Sequence, residues 1–248
     1  ACNVLGLFIC GLAGRRLKLE SGNEAYTDTE VIHLPAWSTE YASREQNFIV
    51  YKAMATHLWA QTRYGTFNVD PAAQLASYPD PGRALALYHY LETARIDAII
   101  VRELPGLARE IAALGTAAPP PQACRRVLDP AATSADSLAL VGVLYDNFTP
   151  PRLSYMGTMH PELVQAVRAA RIAREKLELQ SGLAKILAEK LPVGEAQSAA
   201  GQRFAVNRGD PADAGGNFDL SLDGEPVALP AHVNDLLQSI AQDLGGIP

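Results

Sequence analysis

From Ser43 to Phe67 the chain reads SREQNFIVYKAMATHLWAQTRYGTF. At 100° per residue, Glu45, Lys52, Thr56 and Arg63 fall within about 20° of one line, while Asn47, Val50, Met54, Leu58 and Gln61 fill the opposite side. One narrow wet stripe on an otherwise apolar cylinder predicts a helix in the middle of the fold, with neighbours on most sides. His57 and Gln61, one turn apart, then point inward. Ser43 and Gln46 stand in capping-box positions at its start, and Gly65 ends it. After a loop over 66–79, Asp80 as N-cap and Pro81 at the first helical position open a second helix that runs to about Glu103. Pro105 starts a shorter helix to Leu114.

Around this pair the period changes. Residues 3–13 read as a short helix ended by Gly14. Arg15 to Glu20 alternates, Ser21-Gly22-Asn23 is turn chemistry, and Ala25 to Pro35 alternates again with Thr27-Asp28 as a tight turn, so a β-hairpin or a three-stranded sheet is expected there. The run 115–121 (GTAAPPP) marks a hinge or a sub-domain boundary. Beyond it, Ser134 to Phe148 is apolar and helical, Thr149-Pro150-Pro151 breaks it, and His160 to Leu191 is a long helix. Arg168, Arg171, Arg174, Glu175, Lys176 and Glu178 in its middle read as a solvated face. Val193 to Gly216 has the composition of a mobile segment, Phe218 to Leu222 and Val227 to Leu229 form a hairpin across Asp223-Gly224, and Ala231 to Leu244 is a last helix. The whole is an α+β chain, predominantly α-helical, in three parts: 1–114, a helical extension 115–192, and 193–248.

A chain of 248 residues, 48% apolar and 19% charged, is long enough for one sizeable core or two small ones. Its net charge of −6 and the lack of any basic run argue against a nucleic-acid surface. Three cysteines, Cys2, Cys10 and Cys124, have no metal-ligand spacing and no even pairing, which fits a reducing cytoplasm. The apolar opening ACNVLGLFICGLAG is shorter than the roughly 20 residues that span a bilayer, so it is read as a core helix and no membrane partner is expected. The missing initiator Met and the stop at Gly-Gly-Ile-Pro suggest a piece of a longer chain.

A β-hairpin edge, a buried helix with an inward His and a second helix with an inward Glu make the layout of a degenerate zinc peptidase. In the intact motif two imidazoles one turn apart hold the metal, a Glu serves as base, and a later helix gives the third ligand. Here the five residues are His57-Leu58-Trp59-Ala60-Gln61: the base position is Leu58, Gln61 replaces the second imidazole, and Glu92 would be the third ligand. One strong ligand and a weak amide do not make a zinc site, so no metal and no cofactor are expected, and the plainer reading is a hydrogen-bonded core histidine. A metallohydrolase using His57 and Glu92 is the alternative. Glu92, Arg95 and Glu103 share an arc with Leu85, Tyr88 and Ile99, so they should be at least half buried; Glu92 and Arg95 can pair, with Arg102 near enough to join. Arg125 and Arg126 beside Cys124 would lower its pKa, but no His lies nearby in sequence to make it a nucleophile. No glycine pattern cradles phosphate.

Several strings taken together resemble a known family. They are Ala25-Tyr-Thr-Asp-x-x-x-Ile-His-Leu-Pro-Ala36, Arg44-Glu-x-Asn-Phe-x-x-Tyr-Lys-x-x-x-x-His57, Tyr64-Gly-Thr-Phe67, Leu91-Glu-Thr-Ala-Arg-Ile-Asp97 and Arg102-Glu-Leu-Pro-Gly-Leu107. Over about residues 15 to 110 they are similar to the amino-terminal region of NorD/CbbO-type proteins, which end in a von Willebrand factor A domain and work with MoxR-type AAA+ ATPases. The resemblance implies an adaptor and not an enzyme: a hexameric MoxR-type ATPase supplies force, and the client is a metalloenzyme or a Rubisco-like enzyme. The Asp-x-Ser-x-Ser motif of the family's metal-dependent adhesion site does not occur here; Asp136-Ser137 and Asp219-Leu-Ser221 do not supply it. The stretch would therefore be the scaffold or ATPase-docking part, with His57, Gln61, Glu92, Arg95 and Glu103 as structural or vestigial residues.

Overall fold

A computed structural model describes residues 2–13, 18–38, 40–115, 120–190, 204–208, 218–222, 225–227 and 229–244. The fold is predominantly helical α+β, with two small three-stranded sheets among the described residues. In order come α1 (Cys2–Ala13), β1 (Lys18–Gly22), β2 (Tyr26–Thr27), β3 (Val31–Pro35), α2 (Arg44–Arg63), α3 (Pro71–Leu75), α4 (Pro81–Glu103) and α5 (Pro105–Ala113). A 3-10 helix (Gln122–Leu128) follows, then α6 (Ser134–Leu144), α7 (Pro161–Lys190), β4 (Phe204–Arg208), β5 (Phe218–Leu222), β6 (Glu225–Val227) and α8 (Ala231–Leu244). Gly14, the expected stop of α1, and most of 193–216 lie outside the described residues.

The chain divides into two compact units, the boundary in sequence falling inside α7 after Arg168. In the first, α2 has the central place its pattern predicts: every residue from Ala53 to Gln61 is buried. Ser43 caps it by accepting from the Gln46 amide, and Gly65 leaves it at φ +69°. Thr56 departs from the expected wet stripe. It is fully buried, and its hydroxyl donates to the Lys52 carbonyl 2.8 Å away, which removes its need for water. The core around α2 takes Leu5 and Ile9 from α1, Ile32 and Leu34 from β3, Ile96 and Ile100 from α4, and Leu107 and Ile111 from α5.

The N-terminal sheet has the order β1-β3-β2, with β1 parallel to β3 and β2 antiparallel to it. Ser21-Gly22-Asn23 is therefore not a hairpin turn, because β3 lies between β1 and β2. The real turn is Asp28-Thr29-Glu30, where Asp28 Oδ1 accepts from the amides of Glu30 (2.9 Å) and Val31 (2.7 Å) and Thr29 sits at φ 84°.

The break expected at 115–121 is not where the chain divides. Cys124 and Val127 from the 3-10 helix, Val141 and Leu144 from α6, Met156, Met159 and Val164 share one core with Leu87, Tyr88 and Leu91 of α4. The expected loop 66–79 also holds α3, with Asp70 accepting from the Ala73 amide at 3.1 Å.

In the second unit β5 and β6 pair antiparallel as expected, but β6 covers Glu225–Val227 instead of Val227 to Leu229, with Asp223-Gly224 outside the described residues, and β4, within the stretch expected to be mobile, pairs antiparallel to β5 as a third strand. Phe218, Val233 and Leu237 form its core, with Leu179 and Leu229 against them. Arg171 and Glu175 do not lie on a solvated face: each is 5% exposed, and Nε donates to Oε1 at 2.5 Å.

Candidate functional site

Where α2 crosses α4, the inward polar side chains meet partners the apolar pattern did not reveal. The His57 ring is 1% exposed. Its Nδ1 lies 2.9 Å from the Ala53 carbonyl and its Nε2 lies 2.9 Å from Oδ1 of Asp97. A carbonyl only accepts, so Nδ1 donates to Ala53 while the Nε2 edge faces the carboxylate. The other Asp97 oxygen accepts from the Tyr155 hydroxyl at 3.1 Å, and the Tyr155 ring packs on the imidazole with centroids 4.8 Å apart. Both nitrogens of His57 are thus engaged, and neither is free for a metal.

Gln61 is also buried, and its side-chain nitrogen lies 3.5 Å from Nε2 of His89 rather than beside His57. Burial drives the His89 pKa down to about 4, with the nearby His57 adding to the effect and a backbone hydrogen bond at Met156 opposing it. His89 is a neutral imidazole at neutral pH.

Glu92 is fully buried and held by a two-pronged guanidinium: Arg95 Nε donates to Oε1 at 2.8 Å and Nη2 to Oε2 at 2.6 Å. Thr66 donates to Oε2 of Glu92 at 2.5 Å, Arg95 Nη2 also donates to the Tyr64 carbonyl at 3.0 Å, and the Tyr88 hydroxyl donates to the Thr66 carbonyl at 2.5 Å. Burial lowers the Arg95 pKa, and the Glu92 carboxylate more than offsets it, so the net direction is up. This network fastens the end of α2 to α4. The expected pairing of Glu92 with Arg95 is present, but Arg102 does not join it; its Nη1 reaches the Leu128 carbonyl at 3.4 Å on the surface. Glu103 is exposed rather than half buried, and it accepts from the Tyr64 hydroxyl at 2.5 Å. Burial, followed by that carboxylate, pushes the Tyr64 pKa up to about 12.

His57 and Glu92, the two ligands of the zinc alternative, belong to separate networks. Among the described residues no group of three or more His, Cys, Asp or Glu is placed to hold a metal ion. Cys124 is buried, and burial moves its thiol pKa up, opposite to the direction its arginine neighbours suggest.

The element that sequence reasoning missed is the non-helical strap 149–160. Its Tyr155 reaches Asp97, the Thr158 amide donates to the Ala25 carbonyl at 2.7 Å, and His160 Nε2 lies 2.8 Å from Glu24 Oε1. Three cavities open beside it. One of about 590 Å³ is an apolar groove with Asp97 among its walls; one of about 260 Å³ includes His89; one of about 700 Å³ is lined by the strap, the first sheet and the residues Trp37, Ser38, Glu40 and Tyr41. The Pro150-Pro151 pair and Gly157 were the only signals of this strap in the sequence.

Compared with known proteins, the chain matches no family model, no curated protein and no solved structure. No described helix is long and apolar enough to cross a membrane.

Proposed function

We propose that this chain is a non-catalytic adaptor region of NorD/CbbO type, which couples a MoxR-type AAA+ ATPase hexamer in the cytoplasm to activation or remodelling of a client enzyme. The observation that supports this reading is where the residues of the resemblance are used. Tyr64, Thr66, Glu92 and Arg95 make one network, and His57 and Asp97 make another. The ionisable groups of the Leu91–Asp97 string, Glu92, Arg95 and Asp97, are already committed to joining α2 and the turn after it to α4, while Thr93 donates to the His89 carbonyl within α4, as suits a scaffold more than a catalytic centre. A metallohydrolase would need His57 to leave both Ala53 and Asp97, and Glu92 to leave Arg95.

The test mixes the purified chain with a purified MoxR-type ATPase and ATP. A complex of increased mass by native mass spectrometry, with altered ATPase turnover, is the expected result. If neither mass nor turnover changes, the adaptor reading fails. Stoichiometric zinc by elemental analysis, lost in His57→Ala, would replace it with the hydrolase.

A further inference from the structure

Tyr90, Asp97 and Tyr155 all line the apolar groove of about 590 Å³, a volume within the range of small-molecule sites, roughly 300–1,000 Å³. Most of the wall is alanine, proline and aliphatic side chain, Ala94, Ala98, Leu128 and Leu153 among them, so a ligand has to be apolar over most of its length. Tyr90 is 5% exposed, and its hydroxyl has no hydrogen-bond partner among the described residues. The unpaired hydroxyls of Thr29, Ser38, Ser137 and Ser154 are shut away from solvent; that of Tyr90 is not, and it opens into the groove the residue lines. A hydroxyl so placed lacks only a partner from outside.

Asp97 supplies the charge. His57 approaches its Oδ1 and Tyr155 donates to its Oδ2, one contact to each oxygen, whereas a carboxylate has about four acceptor sites. With 31% of its side chain exposed, the group has room to accept again. The Tyr90 pKa is raised by burial, then by Cys124 and by the charge of Asp97, and the Tyr155 pKa by burial and then Asp97, with Tyr90 contributing. The two hydroxyls and the carboxylate therefore form one cluster. A carboxylate only accepts, so the polar end of the ligand must donate, and a positive charge there is matched by Asp97 and by the electron-rich faces of the phenol rings. A primary ammonium has three N–H groups, enough for Asp97 and the Tyr90 oxygen together. An anion would instead be repelled by Asp97. Arg102, the cation of the wall, is exposed and its Nη1 already donates to the Leu128 carbonyl at 3.4 Å, so it gives an anion no sheltered partner.

We propose that this groove is a binding site for an apolar primary amine, its ammonium held by Asp97 and the Tyr90 hydroxyl and its hydrocarbon laid along α4. Neither an ATPase nor a client enters its test, so this site and the adaptor reading can fail separately.

The whole chain is titrated by calorimetry with phenylbutylamine, and with phenylbutanol and phenylbutyrate as its neutral and anionic counterparts. The amine should bind one to one and about tenfold or more tighter than the alcohol, the usual worth of giving a hydrogen bond a charged partner, and the acid should not bind. Tyr90→Phe keeps the ring and should weaken the amine about tenfold. Ala98→Leu, at a half-buried position of the wall, fills the groove and should abolish binding of amine and alcohol alike. Circular dichroism establishes that both variants are folded. The proposal is overturned if the amine does not bind, if the alcohol or the acid binds as tightly, or if either folded variant binds the amine as the unmodified chain does. The first two outcomes are read on the unmodified chain, so the test stands even where a variant does not fold.

Discussion

Asp97 receives the Nε2 edge of His57 at 2.9 Å across 40 residues of sequence, and this contact is a polar bolt through the crossing of α2 and α4, separate from the Gln61 and Glu92 contacts further along the same two helices. The bolt has three parts, since Tyr155 brings the strap onto the same carboxylate. Its geometry sets helix register: sliding either helix by one turn would leave a buried imidazole facing hydrocarbon.

Removing the carboxylate should therefore cost more than removing an average surface charge. Asp97→Ala leaves the buried Nε2 of His57 unsatisfied and frees the Tyr155 hydroxyl, and about 2–4 kcal/mol of stability should be lost. Asp97→Asn keeps an acceptor in place and should lose less than half as much. Urea unfolding of the three proteins measures both, and equal losses in the two variants would show that the hydrogen bond to His57 contributes little.

The Glu92 and Arg95 pair makes a different prediction because both members are buried. Glu92→Gln or Arg95→Met alone strands the other group, at a cost of about 3–5 kcal/mol. The double variant Glu92→Leu with Arg95→Met removes both charges and should recover part of that loss, although Thr66 and the Tyr64 carbonyl then lose their partners. A double-mutant cycle read by thermal unfolding gives the coupling.

How much of this could be read from the sequence depends on whether a signal was local. Asp80-Pro81 and the long period of α4 gave its bounds, and the Ala231 to Leu244 pattern gave α8. Asp70-Pro71 carries the same chemistry as Asp80-Pro81, but five helical residues have too little period to confirm it. The parallel pairing of β1 with β3 and the strand β4 depend on partners that alternation does not name. Asp97 stood in a quoted string without a role, because its partner is set by how α2 crosses α4 and not by spacing along either helix. The strap has no period at all, so its contacts with Asp97, Ala25 and Glu24 appear only in three dimensions.

Acid should weaken the fold through His89. Its pKa is about 4 in the folded chain against an ordinary 6.5, so the unfolded chain binds the proton first as pH falls. The stability of the neutral, buried ring is fully present above pH 6.5 and is lost progressively down to about pH 4. Taken alone the loss is up to about 3 kcal/mol, from the value of a pKa unit. His89→Gln should flatten the slope of unfolding free energy against pH across this window, relative to the unmodified chain. An unchanged slope would mean that His89 already holds a proton in the folded state or meets water.

Gly157 decides whether the strap can lie where it does. Its φ is +72°, and a Cβ at this position would stand 2.5 Å from the Ala25 carbonyl oxygen, which is backbone and cannot swing aside. The same carbonyl accepts from the Thr158 amide at 2.7 Å, so the clash and the tether share one atom. Gly157→Ala combines left-handed strain of about 1–2 kcal/mol with steric overlap, and a total near 2–4 kcal/mol is expected. The fold has a cheaper response than global unfolding: the strap can lift, giving up the Thr158 tether and the Tyr155 contact with Asp97 while α2 and α4 stay packed. Hydrogen exchange distinguishes the two. Faster exchange at Thr158 with unchanged protection at α2 amides such as Leu58 would show a strap that is hinged on a firm core. Acceleration of both by the same factor would instead make the strap part of the cooperative unit, its glycine as necessary to the crossing of α2 and α4 as the His57 and Asp97 bolt.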